Sequence, residues 1–192
     1  MQTLTRKAPP AYVIEDAVSE HDTLEVTAEA LQGLLKTVEA ALPPGMLRAL
    51  HGESLGHPVH PVLVHLPLGG WLMAAALDYL PADTPGGHDR AADLALTLGT
   101  AGAVGTIATG WLDWSNARGQ ARRTGLVHGA LNETAFLLNV ASLVARRRDR
   151  RRLGRLLSGA GLALSLAGGF LGGELVYRHG LGVGRTMQHP QG

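Results

Sequence analysis

The chain has 192 residues and a formal net charge of +1, with mean hydropathy barely above zero, which suggests one domain with at most a small appendage. It contains no cysteine, so disulfides, thiolate-bound zinc, cysteine-held iron–sulfur clusters and a thiol nucleophile are excluded. No basic patch argues for nucleic acid. No nucleophile elbow, phosphate loop or paired-histidine metalloprotease helix appears either, so no catalytic residue is assigned.

Residues 1–22 read as a polar tail without the apolar core of a signal peptide, so insertion into a membrane relies on internal segments. Leu31, Leu34, Leu35, Val38 and Leu42 then recur at helical spacing. They predict an amphipathic helix over Thr27–Leu42, capped by Thr27 and ended by Pro43-Pro44-Gly45. Its acids Glu25, Glu29 and Glu39 favour docking on the rest of the chain or on a partner over binding to anionic lipid. The tail and this helix make up residues 1–46.

Four apolar segments follow, Val59–Leu80, Ala91–Trp114, Leu126–Ala145 and Leu153–Tyr177. Each is close to the ~20 residues a helix needs to cross the hydrocarbon core. The fourth carries no charge from Leu156 to Gly173, whereas a helix of a soluble bundle would be charged along its outer face. The expected fold is therefore all-α: an integral membrane four-helix bundle over residues 47–184, preceded by the amphipathic helix and followed by a short polar tail, 185–192. Small residues stripe the second span (Gly99, Ala103, Thr106, Gly110) and the fourth (Ser158, Ser165, Gly169, Gly172). Such stripes let helix backbones approach in lipid, and they are expected to face the bundle interior. The arginines between 146 and 155 outnumber Arg118, Arg122 and Arg123 between spans two and three. That bias predicts a cytoplasmic third loop in a multi-pass protein of the cell membrane, with both termini outside.

Span parity gathers the chemistry at one face. His57, His60 and His65 open span one, Asp113 closes span two, His128 and Asn132 open span three, and Glu174 and His179 close span four. With the third loop inside, this face is extracytoplasmic. In span three, His128, Asn132, Ala135, Asn139 and Ser142 share one helical face, an inward polar stripe. Pro67 removes a backbone donor just beyond His65. Three readings stay open. In the first, the polar cluster only locks the bundle of a scaffold or interaction protein. In the second, imidazoles on facing helices ligate a haem iron, with His65 and His128 as first candidates. In the third, His57, His60 and His179 belong to a non-haem transition-metal site. Asp113, Asn132 and Glu174 are the candidate acceptors behind ligating imidazoles.

The run Leu50 to Gly69, with its His57-Pro58 and His60-Pro61 pairs, resembles the opening of the bacterial membrane family called domain of unknown function 2231. Gly110-Trp111-Leu112-Asp113-Trp114, His128-Gly129-Ala130-Leu131-Asn132 and Gly172 through Gly180 extend the resemblance over about residues 47–184. It implies a short four-span membrane protein. Some relatives carry a Rieske-type iron–sulfur domain, which implies a redox setting and a partner protein of that kind. The functional expectation is a membrane protein with a histidine-rich haem b or metal site, possible electron transfer, and the bilayer itself as surroundings.

Overall fold

The computed structural model describes residues 22–182. The expected terminal tails, with His21 and His189, lie outside the described residues. Among these residues the chain is helical, without strands. Helix α1 is Asp22–Ala41 and α2 is Pro44–His51; a single 3-10 turn, Glu53–Leu55, leads to the short α3, His60–Leu63. Four long helices follow: α4 (His65–Tyr79), α5 (Asp89–Trp114), α6 (Gly119–Arg147) and α7 (Arg151–Tyr177). Helix α1 starts earlier than the expected Thr27. Asp22 and Glu25 sit in its first turn, where acids suit the helix dipole, and the Thr27 hydroxyl bonds back to Thr23 O inside the helix.

Helices α4 to α7 form an up-and-down ring. Helix α4 packs along α5, α6 packs along α7, and contacts of α5 with α6 and of α4 with α7 close it. Three stretches are long and apolar enough to cross a membrane: His60–Tyr79, Asp89–Trp114 and Arg151–Tyr177. Helix α6 has the length, but Arg122, Arg123, Glu133 and Arg146 dilute its apolar character. Four crossings were expected from the sequence; among the described residues three helices meet the apolar criterion.

Polarity is arranged inside out relative to a water-soluble bundle. Thr100, Thr109, Asn139, Ser142, Ser158 and Ser165 are buried, while Leu72, Leu98, Leu137, Leu156, Leu166 and Phe170 are exposed. Hydrocarbon around the bundle removes the reason to hide leucine, and it penalises any outward polar group. Packing depends on close backbone approach. A Cβ on Gly70 would lie 2.6 Å from Gly99 Cα and 2.7 Å from Ala95 O, so α4 and α5 meet backbone to backbone. On α7 the buried stripe is Gly154, Ser158, Gly161, Ser165 and Gly168. Gly168 keeps the buried packing face, while Gly169, with open space beside it, lines a cavity among the helices.

At the end remote from most histidines, Arg146 pairs with Asp78 and Asp93. Arg151 and Arg155 join Asp78 and Asp89 to the same network. At the other end, α1 docks across α5 and α6. The Gln32 amide donates to Trp114 O at 3.1 Å and Ala117 O at 2.9 Å. Arg122 binds both Glu25 and Glu29, and Arg123 reaches Glu25. The docking expected of this helix is thus onto the chain's own bundle.

Candidate functional site

Two prolines and a glycine turn set the entry to the first span. Gly52 adopts φ 75° and ends α2, and a Cβ there would collide with the His57 carbonyl oxygen, so glycine lets the chain fold back tightly on itself. Val64, between α3 and α4, keeps helical angles (φ −54°, ψ −30°), and its N–H reaches His60 O at 3.0 Å, so α3 and α4 run on as one span; the buried Pro67 has no N–H to donate within it. Beside this span, among α3 to α7, lies a cavity of about 490 Å³. Its walls include His60, Trp71, Trp111, His128, Glu133 and Ser165.

His60 and His128 are held in the same way. His60 Nδ1 donates to Thr106 O of α5 at 2.9 Å, and His128 Nδ1 donates to Gly168 O of α7 at 2.7 Å. Because a carbonyl can only accept, each Nδ1 carries a proton, and in the neutral ring the lone pair is then on Nε2. Glycines make the seats. A Cβ on Gly110 would lie 2.7 Å from His60 Cε1, and one on Gly172 would lie 3.0 Å from His128 Cε1. Asn132 gives its amide hydrogen to His128 O at 2.8 Å and stands 3.5 Å from His128 Nε2.

The structure brings His60, His128, Asn132 and Asp113 to the cavity wall. It does not bring His65 there: that ring is exposed, its Nδ1 bonded to Val62 O one turn back at 3.1 Å. His57 is also exposed, bonded to Pro58 O. Glu174 pairs with Arg178 at 3.0 Å along α7. His179 lines a second, outer cleft of about 770 Å³ together with His51, Asp113 and Arg118. Asp113 belongs to both spaces, and His51 Nδ1 lies 3.4 Å from its Oδ1.

Three participants were not among the site residues expected from the sequence. Glu133 accepts the Trp111 indole N–H at the cavity wall; its signal was a lone carboxylate inside an apolar segment, which is costly in a membrane unless it is used. Ser165 is 1% exposed, and among the described residues its hydroxyl has no hydrogen-bond partner; it is a second polar group on the cavity wall. Trp71 lines the cavity and donates to Thr100 Oγ1 at 3.1 Å.

Chemically, the cavity offers two imidazole lone pairs within a mostly apolar, aromatic-walled space. Its volume falls in the range of small-molecule sites, roughly 300–1,000 Å³. Among the described residues, no group of three or more histidines, aspartates and glutamates could hold a metal ion. The family model described as a predicted membrane protein, DUF2231, matches residues 56–185. No curated protein and no solved structure gives a significant match.

Proposed function

As the chain belongs to this family of predicted membrane proteins, we propose that it is a four-crossing membrane protein whose cavity between His60 and His128 holds a haem for electron transfer. The observation that carries the reading is the pair of imidazoles on one cavity, each with Nδ1–H fixed to a main-chain carbonyl, which leaves Nε2 as the nitrogen that would ligate. That second hydrogen bond fixes ring orientation and tautomer and raises ligand basicity. A non-haem ion would ask the protein for three or more side chains, whereas haem iron brings its own equatorial nitrogens and needs only axial ligands. The donor set fits haem for that reason. Bound haem supplies a one-electron carrier. The chain's own residues orient the two imidazoles, surround the site with Trp71 and Trp111, and place Glu133 and Ser165 to meet polar substituents. The arginine bias supports an orientation with this face outside the cytoplasm, where a redox partner, such as the Rieske-type protein the resemblance implies, would meet it.

A scaffold role without cofactor draws on the same bonds. Each of these histidines ties its own helix to a neighbouring backbone, which is also what interhelical glue does. The absorption spectrum and iron content of the detergent-purified full chain, expressed with ample haem supply, separate the two. A Soret band with stoichiometric iron, lost in His128→Ala, supports the haem site. A colourless, iron-free protein sinks it and leaves the scaffold.

A further inference from the structure

We propose that the turn joining α6 to α7 is a binding surface for anionic phospholipid headgroups. Seven arginines lie between residues 146 and 155, and the fold sorts them into two sets. Arg146, Arg151 and Arg155 turn inward onto Asp78, Asp89 and Asp93, three guanidiniums against three carboxylates. Arg147, Arg148, Arg150 and Arg152 are exposed. Within the turn their only acidic neighbour is Asp149, held at φ 57°. The tip therefore keeps a net positive charge after the internal pairs have formed.

Folding does not account for this second set. Arg147 and Arg148 suit the negative end of α6, but Arg150 and Arg152 stand at the start of α7, where the helix dipole disfavours cations. Helix α7 has no acid in its first turn and no capping side chain. An anion at the tip relieves both conflicts.

The apolar surroundings identify the source of that anion as lipid. Val144, Leu153 and Leu156 are exposed within about a turn or two of the arginines, and they continue the outward apolar faces of α6 and α7. A phospholipid whose chains lie on those faces brings its phosphate to the height of the guanidiniums. A basic cluster next to a membrane helix attracts anionic lipid in this way, and arginine stems can lie along apolar surface while their heads stay at the interface. The surface acts in whichever leaflet the turn faces, and it does not depend on the haem site.

The test offers the detergent-purified full chain dioleoylphosphatidylglycerol or dioleoylphosphatidylcholine and counts retained lipids by native mass spectrometry. Phosphatidylglycerol is retained in preference, and its retention falls about fivefold for each arginine removed in the series ending with R147Q/R148Q/R150Q/R152Q. Phosphatidylcholine retention stays level. Equal retention of the two lipids by the wild-type chain overturns the proposal. So does an unchanged preference in the fourfold variant, or displacement of the lipid by millimolar inorganic phosphate. A salt titration of the wild-type chain requires no variant to fold: the preference fades from roughly 0.1 M to 1 M salt, and its persistence also overturns the proposal.

Discussion

Arg146 of α6 grips Asp78 of α4 with 2% and 0% of their side chains exposed, so the ring of long helices is fastened at one end by a buried ion pair. The guanidinium also reaches Asp93 Oδ1 at 2.9 Å and Ser158 Oγ at 3.0 Å. One arginine thereby contacts α4, α5 and α7.

Removing one partner of such a pair leaves the other charge buried and uncompensated, at a cost of about 3–5 kcal/mol. Asp78→Ala is expected to lower the unfolding temperature of the detergent-solubilised protein sharply. Asp78→Leu combined with Arg146→Met is expected to recover most of the loss. Equal destabilisation by the single and the double variants would show that burial of the charges is not the issue.

Histidine position decides cofactor retention if the proposed site is correct. His60→Ala and His128→Ala are each expected to abolish the Soret band, whereas His65→Ala, at an exposed ring, keeps it. A band lost only in His65→Ala would move the site out of the cavity.

The seats of the rings can be filled without touching the rings. A Cβ in Gly110→Ala falls 2.7 Å from His60 Cε1 and 2.9 Å from its Nδ1, so the imidazole must turn and its bond to Thr106 O must lengthen. Reduced haem occupancy is expected with helical content unchanged by circular dichroism. Wild-type occupancy in this variant would contradict a fixed His60.

Close backbone approach makes a separate demand at Gly70. Its neighbours are main-chain atoms of Gly99 and Ala95, which cannot swing aside. Gly70→Ala is expected to cost about 1–3 kcal/mol as overpacking, read as a lower unfolding temperature. A neutral effect would mean that α4 and α5 can separate freely.

Gln32 tests the docking of α1. Gln32→Ala leaves Trp114 O and Ala117 O without their side-chain donor, a loss of about 1–3 kcal/mol. Faster hydrogen exchange is expected in Asp22–Ala41, with α4 to α7 unaffected. Slow exchange throughout α1 would assign its docking to the Arg122 and Arg123 ion pairs alone.

Much of the architecture was readable because it rests on periodicity. The long apolar segments correspond to the long helices, and the inward stripe of Ala135, Asn139 and Ser142 is buried as its spacing implied. The site was less readable, for reasons visible at His60 and His65. On an unbroken helix, five residues separate these side chains by roughly 140°, so only one faces a given neighbour. Choosing between them needed the rotational setting of this helix against α5, which no local pattern around His60 and His65 fixes. The choice also needed Gly110, fifty residues away, which makes the room His60 occupies. Asp78 and Arg146, 68 residues apart, share no local pattern. Asp78 stands near the end of one apolar run and Arg146 opens the arginine cluster after another, so neither points to the other.

The contact between Glu25 and Arg122 spans 97 positions of chain, and this separation sets an order of events during synthesis. At elongation rates of about 5–20 residues per second, α1 leaves the ribosome roughly 5 to 20 seconds before the arginines that receive it. Throughout that interval Glu25 and Glu29 lack the arginines they meet in the fold, and the bundle surface on which α1 finally rests is incomplete. Arg122 and Arg123 consequently reach the insertion machinery as uncompensated positive charges, and their neutralisation belongs to assembly after insertion. A chain lacking residues 22–41 should therefore adopt the same topology in a reporter-fusion assay yet unfold at a lower temperature, whereas an inverted topology would place the docking of α1 before insertion.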